Sequence, residues 1–218
     1  MISLLTPLTT NLIWSEGVII LTVVGILASC GLWFNRWFFI AASILFIFGF
    51  HFFRNPERIP AQGTTSKTII APADGRVVAL EAIEHPLYTQ KIAIFLSPLD
   101  VHVTRMPSEG IVEKIVYKPG SFTLAWVPKS SELNERNEFT IYSPKNETRY
   151  EIRQIAGTIA RVIRTFVSEG AILERGDRCG MIKFGSRVEL LLPPSAIISV
   201  QVGDYVYGGH TAIGSWKS

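Results

Sequence analysis

The sequence predicts a mostly-β domain, a sandwich or a barrel, preceded by an apolar helical hairpin. Three observations lead there. The formal charges are segregated: through Phe53 the chain carries only Glu16 and Arg36, whereas residues 54–218 have the charge density of an ordinary globular domain. The charge-poor part holds two apolar runs, Gly17–Phe34 and Trp37–Phe53, with only Asn35-Arg36 between them. The charged part shows no sustained helical periodicity. It is a succession of short runs rich in Val, Ile, Thr, Phe and Tyr, set apart by Gly, Pro and Asp, which is the pattern of strands and turns.

Each apolar run is long enough for a helix of about 17–20 residues, which suits the ~30 Å hydrocarbon core of a bilayer. Two intervening residues force the helices to double back, so the hairpin either crosses twice or dips into one leaflet. Trp14, Trp33 and Trp37 fit interfacial anchoring. No basic stretch precedes the first run, which argues against a cleavable signal peptide. Arg54 and Arg58 come after the second run and favour a cytoplasmic domain at the cell membrane; Arg36 in the turn argues weakly the other way. The expected organisation is a membrane-associated hairpin over 1–53, a linker over 54–66 containing two prolines and Gly63, and a β domain over 67–218.

In that domain Lys67–Ala71 is the first strand, stopped at Pro72 and the Asp74-Gly75 turn. Arg76–Ala82 and Lys91–Leu96 come next, the second closed by Ser97-Pro98. Ile111–Tyr117 ends before Pro119-Gly120. Glu138–Tyr142 and Tyr150–Ile155 flank a turn around Pro144. Arg161–Phe166, Arg187–Leu192 and Ile197–Val202 complete the set, the last two bounded by Pro193-Pro194 and Gly203-Asp204. Pro128–Arg136 reads as a turn of helix, and Asn134-Glu135-Arg136-Asn137 as an exposed polar loop.

Composition narrows the function. Lys and Arg number 21 against 18 Asp and Glu, a net charge of +3, too small to indicate a nucleic-acid partner. Cys30 and Cys179 make no disulfide framework, and the four histidines, His51, His85, His102 and His210, have no zinc-ligand spacing. No metal site is expected. Gly176-Asp177-Arg178-Cys179-Gly180 is echoed by Gly203-Asp204-Tyr205-Val206-Tyr207-Gly208. Singly these are hairpin turns; together they resemble turns of lipoyl- and biotinyl-type β-sandwiches. Neither echo has the lysine that such carriers modify.

Three segments carry candidate chemistry. Pro72-Ala73-Asp74-Gly75 places a carboxylate in a tight turn. Leu96-Ser97-Pro98-Leu99-Asp100-Val101-His102-Val103-Thr104-Arg105-Met106-Pro107 combines Asp, His and Arg at strand alternation. Phe184-Gly185-Ser186-Arg187-Val188 places a serine between two apolar runs. Each has a plainer reading, as a turn Asp, a structural His or a turn Ser. Jointly, Ser186, His102 and Asp74 supply the nucleophile, base and orienting carboxylate that nucleophilic chemistry requires.

From Phe53-Arg54-Asn55-Pro56-Glu57-Arg58 to the C-terminus the chain resembles phosphatidylserine decarboxylase proenzymes, in particular their short bacterial form. The motifs that carry the resemblance are Pro72–Gly75, Phe95–Val103, Arg105-Met106-Pro107, Asn134–Asn137, Gln154-Ile155-Ala156-Gly157 and Gly180–Val188. The resemblance implies self-cleavage at Gly185–Ser186, giving chains 1–185 and 186–218. The Ser186 hydroxyl attacks the Gly185 carbonyl and the amide becomes an ester. Loss of the alpha proton breaks the chain by elimination, and residue 186 hydrolyses to a pyruvoyl group. That cofactor takes the amine of phosphatidylserine as a Schiff base and withdraws electrons as CO2 leaves.

The resemblance further implies a lipid substrate in the membrane, continued association of the two cleaved chains, and a possible homo-oligomer. Longer family members carry two histidines in the segment matching Asp100–Pro107. Here His102 matches the first, and Arg105 stands at the second, which is the one usually assigned to processing. Arg105, Lys183 and Arg187 are candidates for holding the lipid phosphate or carboxylate. Two rival readings stay open at this point, a non-catalytic membrane-anchored carrier sandwich and a membrane-bound serine hydrolase.

Overall fold

The computed structural model describes residues 14–121, 133–157, 162–183 and 186–217. They fall into two compact units that divide between Glu57 and Arg58.

The first unit is the hairpin: α1 (Trp14–Phe34) and α2 (Arg36–Phe52). Asn35 forms the turn because its side chain can cap the second helix. It is extended (φ −161°, ψ 122°), and its Oδ1 accepts a 2.8 Å hydrogen bond from Trp37 N, a standard N-cap. Gly31 lets the two helices meet there, since a Cβ at this position would lie 2.8 Å from Phe39 N. The apolar side chains point outward over most of the hairpin, Trp33 at 88% and Ile19 at 75% exposure. At 1.5 Å per residue α1 spans about 31 Å and α2 about 25 Å, beside the ~30 Å of a hydrocarbon core. Among the described residues no helix is long and apolar enough to cross a membrane.

The second unit is mostly β. Its strands are β1 (Thr68–Ile70), β2 (Gly75–Ala82), β3 (Gln90–Leu96), β4 (Val103–Arg105), β5 (Gly110–Lys118), β6 (Arg136–Ser143), β7 (Thr148–Ala156), β8 (Val162–Thr165), β9 (Ile172–Leu173), β10 (Arg178–Lys183), β11 (Ser186–Leu192), β12 (Ala196–Ile198), β13 (Tyr205–Val206) and β14 (Ala212–Trp216). Eight of them make one antiparallel sheet in the order β13-β2-β3-β11-β7-β6-β5-β9. Two three-stranded sheets, β4-β10-β8 and β1-β14-β12, complete the unit. The sheets are open, so the described residues form no closed barrel.

Strand alternation builds the core. Val188, Leu190 and Leu192 of β11 join Ile152 of β7, Phe139 and Ile141 of β6 and Ile92, Ile94 and Leu96 of β3 in one buried cluster, with Cys179 and Ile182 of β10. Polar bridges tie the large sheet to β4 and β8: Gln154 Nε2 donates to Thr104 Oγ1 at 2.8 Å, and Asn137 Nδ2 to Thr165 Oγ1 at 2.8 Å.

Part of the expected linker is fixed in this unit. Ala61 N donates to His210 O at 3.1 Å, and His210 Nδ1 lies 2.6 Å from Ile59 O. The expected exposed loop at Asn134–Asn137 is corrected: Asn134 and Asn137 are buried, and β6 begins at Arg136. Asn134 Nδ2 donates to Ala156 O at 2.7 Å, which compensates its burial. Of the expected helical turn over Pro128–Arg136, residues 128–132 lie outside the described residues.

The Gly-Asp echo is a true structural repeat. Gly176 and Gly203 both take positive φ, +92° and +102°, which an L side chain tolerates poorly. In each turn the Asp Oδ2 accepts from the backbone three residues earlier, Glu174 N and Gln201 N, at 2.8 Å. Each turn also docks by a reciprocal backbone pair: Gly176 and Asp177 on Met106, Gly203 and Asp204 on Val77, all at 2.8 Å.

Candidate active site

Antiparallel register assembles the site. Ser186 opens β11 and pairs with Leu96, the last residue of β3, and with Ala156, the last of β7. β2 starts at Gly75, and Arg76 pairs with Phe95. β6 starts at Arg136 opposite Ile155. Asp74, Ser97–His102, Asn134-Glu135 and Gly157 therefore leave the same end of the sheet as Ser186. Motifs far apart in sequence converge because the strands carrying them are neighbours. Gly75 is required there: at φ +147°, a Cβ would lie 2.2 Å from Phe95 O.

Ser186 shares the inward face with Val188 and Leu190 and is fully buried. Its Oγ makes no hydrogen bond among the described residues. An unmet buried hydroxyl costs about 1–3 kcal/mol, and such exceptions call for a reason, catalysis among them. Gly185 and Phe184 lie outside the described residues, so of the expected scission bond only the Ser186 side is described. The chain passes there from β10, in a three-stranded sheet, to β11, central in the large one.

His102 is fully buried. Its main-chain oxygen accepts from Ile182 N at 3.2 Å, which sets it beside the strand leading into Ser186. Its Nδ1 lies 2.9 Å from Asp100 O. A carbonyl only accepts, so Nδ1 carries the proton, and Nε2 is the ring position that can take one up.

Asp74 is buried and held on both oxygens: Arg58 Nη2 donates to Oδ2 at 2.6 Å, and Gly208 N to Oδ1 at 2.7 Å. The carbonyl of Asp100 is the acceptor that orients Nδ1 of His102.

The three expected anion-binding cations fare differently. Arg105 sits on β4, with Nη1 donating to Gly176 O at 3.0 Å. Burial pushes its pKa down, Arg178 and Arg58 add to the fall, and Asp74 opposes it. Arg58 and Arg105 thus share one electrostatic neighbourhood with Asp74. Lys183 is half-buried at the end of β10, opposite Val162. Residues alternate across β11, so Arg187 lies on the other face of the strand from Ser186. It is buried, with Nε 2.9 Å from Glu189 Oε1, an internal ion pair.

Sequence reasoning missed Asp100 as a hub. Its Oδ2 accepts from Ser97 N at 2.7 Å, its Oδ1 accepts from the Tyr205 hydroxyl at 2.5 Å, and its carbonyl holds His102. Burial first, and then the Asp100 hydrogen bond, raise the Tyr205 phenol well above its ordinary range, so it remains a donor. Arg58 and Gly208 were likewise missed as the clamps on Asp74. The only sequence signal for them was membership of the Asn55–Arg58 and Gly203–Gly208 segments.

Comparison with known proteins places this architecture. The family described as phosphatidylserine decarboxylase matches residues 45–214. A phosphatidylserine decarboxylase proenzyme of Salinibacter ruber is 43% identical over 192 residues, covering 84% of each chain. One of Carboxydothermus hydrogenoformans is 43% identical over 210 residues, covering 94% of this chain and 96% of its own. A third, of Syntrophus aciditrophicus, is 38% identical over 207 residues, covering 92% of this chain and 96% of its own. With the motifs of that family gathered around a buried serine at one end of the sheet, the chain belongs to the phosphatidylserine decarboxylase family and is a decarboxylase.

Proposed function

We propose that this chain cleaves itself at Gly185–Ser186 and decarboxylates phosphatidylserine to phosphatidylethanolamine with a pyruvoyl group made from Ser186. The observation that carries this reading is the buried Ser186 Oγ, which has no hydrogen-bond partner among the described residues. A hydroxyl that is to become a nucleophile and then a leaving group is better left out of a stabilising bond. Ser186 Oγ adds to the carbonyl of residue 185, the peptide nitrogen departs, and an ester joins the two segments. His102 Nε2 is the group suited to take the hydroxyl proton, pass it to the departing peptide nitrogen and then take the alpha proton, after which elimination frees the carboxylate of residue 185. Residue 186, left as dehydroalanine, takes up water and releases ammonia. When formed, the pyruvoyl group supplies the electron-withdrawing carbonyl that decarboxylation needs. Arg58 and Arg105 supply positive charge for an anionic headgroup, and Lys183 is a further candidate for that contact.

The two chains stay together in this reading because the smaller one is woven through the fold. β11 lies between β3 and β7, β13 pairs with β2, and β14 pairs with β1. Gly208 and Tyr205 of the small chain also hold Asp74 and Asp100 of the large one. The paired Gly-Asp turns support lipoyl-like features in the β unit.

We further propose that the hairpin seats the protein at the cell membrane with the β unit on the cytoplasmic side. Exposed Ile, Trp and Phe side chains cover α1 and α2, and lipid removes that apolar area from water. Cell-free translation tests the processing: the wild-type chain is expected to split and to release CO2 from phosphatidylserine vesicles. Ser186→Ala is expected to remain whole and inactive. Wild-type decarboxylation by an uncut chain would overturn the reading.

A further inference from the structure

We infer that Tyr205 is a positioning residue for His102, acting through Asp100. The inference rests on the reading of His102 as the processing base and extends it to a residue on the other product chain. The Tyr205 hydroxyl donates to Asp100 Oδ1 at 2.5 Å, while Ser97 N holds Oδ2 at 2.7 Å. These two bonds fix the carboxylate of Asp100. The carbonyl of the same residue accepts from His102 Nδ1 at 2.9 Å. Asp100 and His102 are both buried, and Tyr205, 42% exposed, reaches them from the surface. Charge-assisted bonds of this kind are among the stronger ones.

Tyr205 reaches Asp100 from β13, which is anchored independently. Tyr205 pairs with Arg76 and Val206 with Gly75, and the Tyr205 ring packs edge-on against Tyr207 with centroids 5.1 Å apart. The phenol keeps its proton because burial and the Asp100 carboxylate both disfavour the phenolate. It therefore donates throughout the neutral range. The consequence concerns the tautomer. A neutral histidine in water prefers its proton on Nε2, where it could not act as base. The Asp100 carbonyl holds the proton on Nδ1 instead and leaves Nε2 competent. Loosening Asp100 relaxes that preference.

The test uses full-length protein and two independent readings. In the uncut Ser186→Ala chain, the ring-nitrogen 15N shifts of His102, assigned by comparison with His102→Gln, report the tautomer directly. Wild-type Tyr205 is expected to give the Nδ1–H form, and Tyr205→Phe a shift toward Nε2–H. Cell-free translation of the Ser186 chain reports processing. Tyr205→Phe is expected to slow cleavage about ten- to a hundredfold, the equivalent of one charge-assisted hydrogen bond. Asp100→Asn reaches the same contact from the other side and should slow cleavage similarly. The double variant should be no slower than the worse single one.

A purely structural role for Tyr205 would lower the melting temperature without moving the His102 signals. An unmoved His102 spectrum in Tyr205→Phe overturns the inference. A moved spectrum with unchanged cleavage supports the positioning role and overturns His102 as the base, so the two failures are distinguishable.

Discussion

Replacing Arg58 by alanine removes the guanidinium that donates to Asp74 Oδ2. The pair is short, 2.6 Å, and largely enclosed, with side-chain exposures of 19% for Arg58 and 6% for Asp74. Breaking a fully buried pair from one side costs about 3–5 kcal/mol, whereas an exposed pair contributes about 0–1 kcal/mol. Arg58 lies between these limits, and Gly208 N still donates to the other carboxylate oxygen. Loss of the guanidinium from over the Tyr207 ring, 5.5 Å from its centroid, adds about 0.5–1 kcal/mol. The expected cost is about 2–3 kcal/mol, or a fall of about 5–10 °C in melting temperature for a chain of this size. Thermal unfolding is best tracked in the Ser186→Ala background, which keeps every sample uncut. Most of the cost comes from the carboxylate that loses this partner. In an Asp74→Asn background the same replacement should therefore cost only about 1 kcal/mol. Equal costs in both backgrounds would refute it.

The same contacts predict other outcomes. His102→Ala should slow self-cleavage by about 10²–10⁴-fold, the usual contribution of general base catalysis, measured as precursor half-life after translation. Arg187→Ala should destabilise the uncut chain by about 2–4 kcal/mol in urea unfolding, since Lys91, 3.8 Å from Glu189 Oε1, compensates that carboxylate only in part, while Arg187→Met with Glu189→Leu recovers most of that loss. A raised KM for phosphatidylserine in a stable Arg187 variant would contradict its assignment as an internal partner. Burial pushes the Cys179 thiol from 9.0 up to about 12. Above pH 9 the unfolded state loses this proton while the folded state keeps it, so stability falls as pH rises from 9 toward 12. The slope is about 1.4 kcal/mol per pH unit from this group. Cys179→Ala should flatten that decline in pH-dependent unfolding, and an unchanged slope would refute the attribution.

Much of the fold was legible in the residues. The long strands announced themselves because β-branched runs end at Gly, Pro or Asp, and the hairpin because two apolar runs meet at one Asn-Arg step. β4, β9, β10, β13 and β14 were not legible: β4, β9 and β13 have two or three residues, too few to show alternation, and Gly180 and Gly214 interrupt β10 and β14. Polar residues misled at Asn134–Asn137, where amides that look solvated are satisfied inward by Ala156 O and Thr165 Oγ1. The burial of Arg187 against Glu189 was not legible, because adjacency to Ser186 in sequence places it on the opposite face of a strand. The Ser186, His102 and Asp74 set was legible as a group of motifs, but its wiring was not. The hydrogen bond from Tyr205 to Asp100 and that from Gly208 to Asp74 join residues more than a hundred positions apart, and no local pattern encodes them.

The most direct test of the central claim, that Ser186 becomes the cofactor, is the intact mass of the purified full-length protein beside its Ser186→Ala variant. The account predicts two wild-type chains that meet at Gly185–Ser186. The smaller should be lighter than the serine-initiated peptide by one ammonia and should react with a carbonyl-specific reagent. The variant should show the single uncut mass. A wild-type protein that decarboxylates phosphatidylserine as one uncut chain, or whose small chain begins with an unmodified serine, would contradict it.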